Sequence, residues 1–259
     1  MIEEPYRWVE AIANRREYIE TQLGAGSPIV ALSFADGILF VTQGQSQHKI
    51  FEIYDRIALG AIGHPGDIER LRMAAIEVAS TEGFARSAAD VSLRRLAHYS
   101  LSPVLKTAFE QVYGAPYLAT LLFAEIGAAP AQDLFLRMEY DGAISTNGEG
   151  SGEPRDAFGA ISGARQSTEA MENILRDEHD PKATFAAACK TGLRAVAVAT
   201  LAVGDSADAK SPTHPQIETE RARLGGAGNV QAVILERASE RAIRYRAVSE
   251  AEIRAALGD

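Results

Sequence analysis

Residues 26–63, GSPIVALSFADGILFVTQGQSQHKIFEIYDRIALGAIG, constrain the fold more than the rest of the chain together. They read as four strands. Runs 28–34 and 38–41 are apolar and β-branched, and they hinge at Ala35-Asp36-Gly37, where Asp-Gly is a hairpin signal. A third run, Ile50–Tyr54, follows Lys49, and Asp55-Arg56 turns it into a fourth over 57–62. The first pair is apolar almost throughout instead of alternating, the pattern of strands covered on both faces. A chain that opens on such a pair must supply material for each side of the sheet.

The remaining pattern supplies it. Trp8, Ile12, Ile19 and Leu23 recur at helical spacing, so 8–23 reads as an amphipathic helix ahead of the first strand. After the four strands a helix is expected from Gly66-Asp67 to Glu82-Gly83, then a second over 88–113 that Pro103 should kink. Strands over 116–126 and 134–140 follow, with a turn at Asp141-Gly142. A short strand at 157–161 leads to a helix over 165–177. Asp180, with Pro181 at the first helical position, then reads as the cap of another helix. The polar stretch 204–227 reads as a long loop, ahead of strands at 229–236 and 241–248. Ser249 with Glu252 spells a capping box for a closing helix. Strands, two helices, strands, two helices, strands is the order of an α+β chain folded as a four-layer αββα sandwich with an extra N-terminal helix. A single domain over 1–259 is expected: a leading segment 1–7, the helix 8–23, the core 26–248 and a closing helix and tail 249–259.

Composition narrows the function classes. Twenty-six Lys and Arg stand against 35 Asp and Glu, a net charge of −9, and no basic stripe argues for nucleic acid. The single cysteine, Cys189, cannot form an internal disulfide, which fits a reducing cytoplasm. The start MIEEPYRW lacks the apolar run of a secretory peptide. Residues 183–203 are apolar, but Lys190 and Arg194 interrupt them, so a buried core helix is expected rather than a membrane span. His48, His98, His179 and His214 are scattered, without metal-ligand spacing.

The block 26–63 carries a family pattern: Lys49-Ile50, then Asp55-Arg56-Ile57, then a small-residue run ending at Gly63. In this it resembles the proteasome family of N-terminal-nucleophile hydrolases, and within it the α subunits of the bacterial, actinobacterial type. The resemblance spans nearly the whole chain and is most specific in that block. It implies a cytoplasmic subunit without cofactor that forms a heptameric ring with itself, caps rings of β subunits and docks a ring-shaped AAA ATPase activator. Unfolded proteins would be the substrates, and proteolysis would reside in the β subunits.

The resemblance also assigns residues. Lys49 would receive the C-terminal carboxylate of the activator in a pocket shared with Gly26, Gly63 and His64. At His64 the archaeal relatives carry a bulky apolar residue. Residues 1–7, with Ile2, Pro5 and Tyr6, would fold across the axial pore as a gate. Catalytic members expose a nucleophile at the start of the first strand after self-cleavage, and here Gly26-Ser27 occupies that place. Ser27 therefore defines the alternative reading, a self-processing β-type or HslV-like peptidase. Against it stand Pro28, which follows at once, and Gln43, where active subunits carry an Asp. A third reading is an orphan homologue that forms a ring without β partners. Ser162-Gly163 and Gly204-Asp205-Ser206 partly echo positions that support the nucleophile, as a shared fold alone would produce.

Overall fold

A computed structural model describes residues 5–44, 47–111, 113–146, 156–202, 212–226, 229–239 and 243–258. Helix α1 (Pro5–Leu23) leads into β1 (Ile29–Phe34) and β2 (Gly37–Gln43), which cross to β3 (Ile50–Tyr54) and β4 (Ile57–Gly63). Then come α2 (Pro65–Ala85) and a broken helical stretch, α3 (Leu93–Arg95), a π turn (Leu96–Leu101) and α4 (Ser102–Glu110). Strands β5 (Ala119–Glu125), β6 (Leu134–Met138), β7 (Ile144–Ser145) and β8 (Phe158–Ile161) precede α5 (Arg165–Glu178), α6 (Phe185–Ala202) and α7 (His214–Gly226). Strands β9 (Val230–Glu236) and β10 (Tyr245–Ala247) and helix α8 (Glu250–Leu257) close the chain.

The strands form two antiparallel sheets, ordered β10-β9-β2-β1-β8 and β3-β4-β5-β6-β7. Their inner faces meet through Ile29, Ala31, Phe40, Ile62, Leu122 and Phe135. Val30, Leu32, Leu39 and Val41 turn to the opposite face, against α5 and α6. Leu59, Ala61, Leu121 and Phe123 face α2 and α4 on the far side. Each central strand is thus buried on both faces, the αββα sandwich its unalternating sequence calls for. Helix α6 is long and apolar enough by length and composition to cross a membrane, yet Ala188, Cys189, Leu193 and Val196 pack it on the first sheet.

The structure departs from the sequence expectation at four helices. Helix α1 begins by Pro5, so Pro5 and Tyr6 fall within its first described turn rather than in a separate segment, and Ile2 lies outside the described residues. The helix expected over 88–113 is interrupted at Ser92, whose hydroxyl caps α3. Before Pro103 it widens into the π turn, where Ser102 donates to the Ala97 carbonyl. Pro103 then sits in the first turn of α4, where a missing N–H costs nothing. Asp180-Pro181 closes a turn of its own: the Asp180 carboxylate accepts from Lys182 N at 2.9 Å, and the Ala183 carbonyl is taken by Ala35 N at 3.1 Å. That pairing to the β1–β2 hairpin holds Ala183 outside α6, and the helix starts instead after Thr184. Finally, α7 lies in the stretch read as a loop. Its two buried apolar residues, Ile217 and Leu224, are two turns apart, too sparse a stripe to register in the sequence. The Gly204-Asp205-Ser206 echo lies outside the described residues.

Candidate functional site

The end of α1, the start of β1, the β2–β3 crossover and the β4–α2 junction enclose a cleft of about 500 Å³. Gln22, Leu23, Gly26 and Ser27 form one wall; His48, Lys49 and Phe51 form another; Ile62, Gly63, Ile68 and Glu69 close it. Three of the four residues expected in a docking pocket, Lys49, Gly26 and Gly63, therefore come together from separate elements.

Lys49 is pinned at three points. Its N–H donates to Gln231 Oε1 of β9 at 3.0 Å, its carbonyl accepts from Ala61 N of β4 at 2.9 Å, and its ammonium donates to the Gln43 carbonyl at 3.0 Å. The side chain is half-buried, and burial lowers its pKa from the ordinary lysine value. A backbone carbonyl is the ammonium's one bonded partner among the described residues, so it has given up part of its water without gaining a counter-charge. Glu69, the acid lining the same cleft, is engaged instead by Arg72 at 2.8 and 2.7 Å. A desolvated cation in an open cleft favours an anion.

The glycines are required by geometry. Gly63 has φ +134°, and a Cβ there would stand 2.0 Å from the Leu118 carbonyl oxygen. A Cβ at Gly26 would meet Ile62 Cγ2 at 1.9 Å, so the α1–β1 link passes against β4 only as glycine. His64 is placed differently from the expectation. Its ring Nδ1 accepts from Gly66 N at 3.2 Å and its backbone N–H donates to the Leu118 carbonyl at 2.7 Å, so it caps α2 and does not line the cleft.

Ser27 lines the cleft, and the segment before it is packed into the fold. Gly26 N donates to the Leu23 carbonyl at 2.8 Å, and Ile19 and Leu23 of α1 are buried with Phe109 and Tyr140. Ser162 bonds to the Ala164 carbonyl and to Thr168 Oγ1 at 2.7 and 2.8 Å, closing the β8–α5 turn.

Sequence reasoning missed three contributors. Gln43 acts through its carbonyl, which no side-chain pattern reports. Gln231 reaches the Lys49 backbone N–H from β9, across 182 residues of chain. His48 was one of several scattered histidines, yet it lines the cleft beside Lys49 with its Nδ1 2.9 Å from Gln231 Nε2. Its adjacency to Lys49 was the available signal.

No protein-family model matches the chain. Individual relatives do. A protein named proteasome subunit alpha from Frankia casuarinae is 30% identical over 251 residues, covering 93% of this chain and 91% of its own length. One of the same name from Parafrankia sp. is 31% identical over 248 residues, covering 92% and 89%. That of Actinosynnema mirum is 29% identical over 230 residues, covering 88% and 77%. With two sheets, their helices and the N-terminal helix in place, and with identity running over nine-tenths of the chain, this protein belongs to the bacterial proteasome α-subunit family.

Proposed function

We propose that this α subunit is a non-catalytic member of a 20S particle in the bacterial cytoplasm. It forms the outer heptameric ring on β subunits, admits unfolded protein and docks the C-terminal carboxylate of a ring-shaped AAA ATPase at Lys49. The observation that carries the docking reading is the Lys49 ammonium, half-buried in an open cleft against a lone carbonyl. An incoming carboxylate supplies the missing charge, and a charge-assisted hydrogen bond of this kind contributes roughly 1.5–3 kcal/mol. Seven such sites compound through avidity.

The test is the ratio of ATPase-stimulated to unstimulated degradation in particles assembled with β subunits. Lys49→Ala should collapse that ratio towards one, and an unchanged ratio would sink the docking role. The gating reading is tested by removing residues 2–4, which spares α1 from Pro5 onward. The shortened particles should turn over casein-like substrates faster without an activator, and unchanged turnover would remove this segment from the gate.

A nucleophilic Ser27 requires loss of everything before it. The burial of Ile19 and Leu23 in the fold argues for retention. Intact mass should therefore show α1 present in the mature chain, and a chain starting at Ser27 would restore the peptidase reading.

A further inference from the structure

We infer that His48 is a second hydrogen-bond donor for the docked carboxylate, its proton held on Nε2 by Gln231, so that His48 and Lys49 grip the anion together. The inference rests on the docking reading of Lys49. It begins with Gln231, which stands on β9 opposite Thr42 of β2. The Gln231 amide faces the Lys49 N–H at 3.0 Å. A backbone N–H only donates, so the amide atom there is oxygen; the flipped amide would set two donors against each other. The other amide atom is then NH2, a donor without acceptor capacity, and it lies 2.9 Å from His48 Nδ1. Nδ1 must accept, so it carries no hydrogen, and the neutral ring carries its proton on Nε2.

This fixes what the cleft offers. His48 and Lys49 line it side by side, and among the described residues no protein group accepts from His48 Nε2. The Lys49 ammonium is a point charge with no preferred plane, whereas the His48 N–H is a directed donor on a rigid ring. A carboxylate has two oxygens and accepts from both. A carboxamide in the same place turns an NH2 towards one of the two donors, so the pair discriminates between them. Leu23, Phe51, Ile62 and Ile68 add apolar wall beside the polar Gln22, Ser27 and Glu69. The ligand inferred for this mixed cleft is a peptide C-terminus with a free carboxylate, its last side chains resting on the apolar part of the wall.

The purified full-length chain can be titrated with a fluorescein-labelled peptide, Gly-Ser-Gly-Ala-Leu-Phe-Leu, as the free acid and as the C-terminal amide, read by anisotropy. The free acid should bind well above the amide, and Lys49→Met should abolish the difference. His48→Phe should weaken the free acid about tenfold, the loss of one hydrogen bond to a charged group. His48→Gln, which returns an N–H donor, should recover most of that loss. Gln231→Met, which frees the ring to carry its proton on either nitrogen, should weaken binding severalfold. If His48→Phe or Gln231→Met binds like the unmodified chain while Lys49→Met does not bind, the His48 inference is overturned and the Lys49 reading stands. If the unmodified chain does not prefer the free acid, or Lys49→Met binds it equally, the docking reading fails and the clamp with it.

Discussion

At the scale of single residues, two charges sit in opposite circumstances. Asp133, with a fully buried side chain, takes both arms of Arg237 at 2.8 Å, the Ser33 hydroxyl at 2.7 Å and Gly127 N at 2.8 Å. Its lone pairs are satisfied, and through Ser33 on β1, Gly127 and Arg237 it joins the two sheets. Asp133→Ala leaves the guanidinium buried without its partner. It should cost about 3–5 kcal/mol in urea unfolding, a large share of the roughly 5–15 kcal/mol a domain has. Lys49 is the reverse. Its native pKa lies below the unfolded value, so the unfolded chain binds the extra proton in the window between them, and the charge opposes folding at neutral pH. Stability should rise as pH climbs through that window. Lys49→Met should leave the melting temperature unchanged or raise it while removing activator stimulation. A clear drop in melting temperature would mark Lys49 as structural. Docking, which needs the ammonium, should weaken at a lower pH than for a solvated lysine.

At the scale of elements, the capping box of α8 was legible because its signal is local and its partners are adjacent. The Ser249 hydroxyl accepts from Glu252 N at 3.3 Å, and the Glu252 carboxylate accepts from Ser249 N at 2.8 Å. Ser249→Ala should cost about 0.5–2 kcal/mol of stability, read by thermal unfolding, since α8 packs Ile253 and Ala256 into the core. The hydrogen bond to the Ser249 backbone leads in lowering the Glu252 pKa, so its contribution is present at neutral pH and is lost as pH falls through the carboxylate range. The stability gap between the unmodified chain and Glu252→Gln should therefore close in acid, and a gap that persists there would count against the box. The start of α6 misled for a matching reason. Asp180-Pro181 is a sound local cap, but the Ala183 carbonyl is claimed by the hairpin at Ala35, a partner distant in sequence.

At the scale of the whole molecule, α1 is built in rather than appended. It buries Ile19 and Leu23 against Phe109 and Tyr140, and Glu20 accepts from the Tyr140 hydroxyl at 3.0 Å. Arg15 donates to the carbonyls of Phe109 and Gln111 at 2.6 and 2.7 Å, tying the helix to the end of α4. A chain beginning at Ser27 would lack Ile19 and Leu23 and uncover Phe109 and Tyr140. It should show a lower melting temperature and bind more of a dye such as ANS than the full chain. Equal values would mean that α1 is dispensable to the fold.

The sequence alone determined the two-sided burial of β1 and β2, the hairpin turn between them, the layer order and the closing cap. Each is written in neighbouring residues, as a run without alternation, a turn dipeptide or a capping pair. It also singled out Lys49, Gly26 and Gly63, through the resemblance of one contiguous block. Only the tertiary structure decided that these three share a cleft, that His64 caps a helix, and that Gln231 and the Gln43 carbonyl hold Lys49 in place. Gln231 meets Lys49 across 182 residues, Gln43 meets it through a backbone atom, and the His64 cap depends on which way the ring turns at the β4–α2 junction. Side-chain identity at a single position encodes neither register nor which carbonyl it will face, because both are set when the sheets pack.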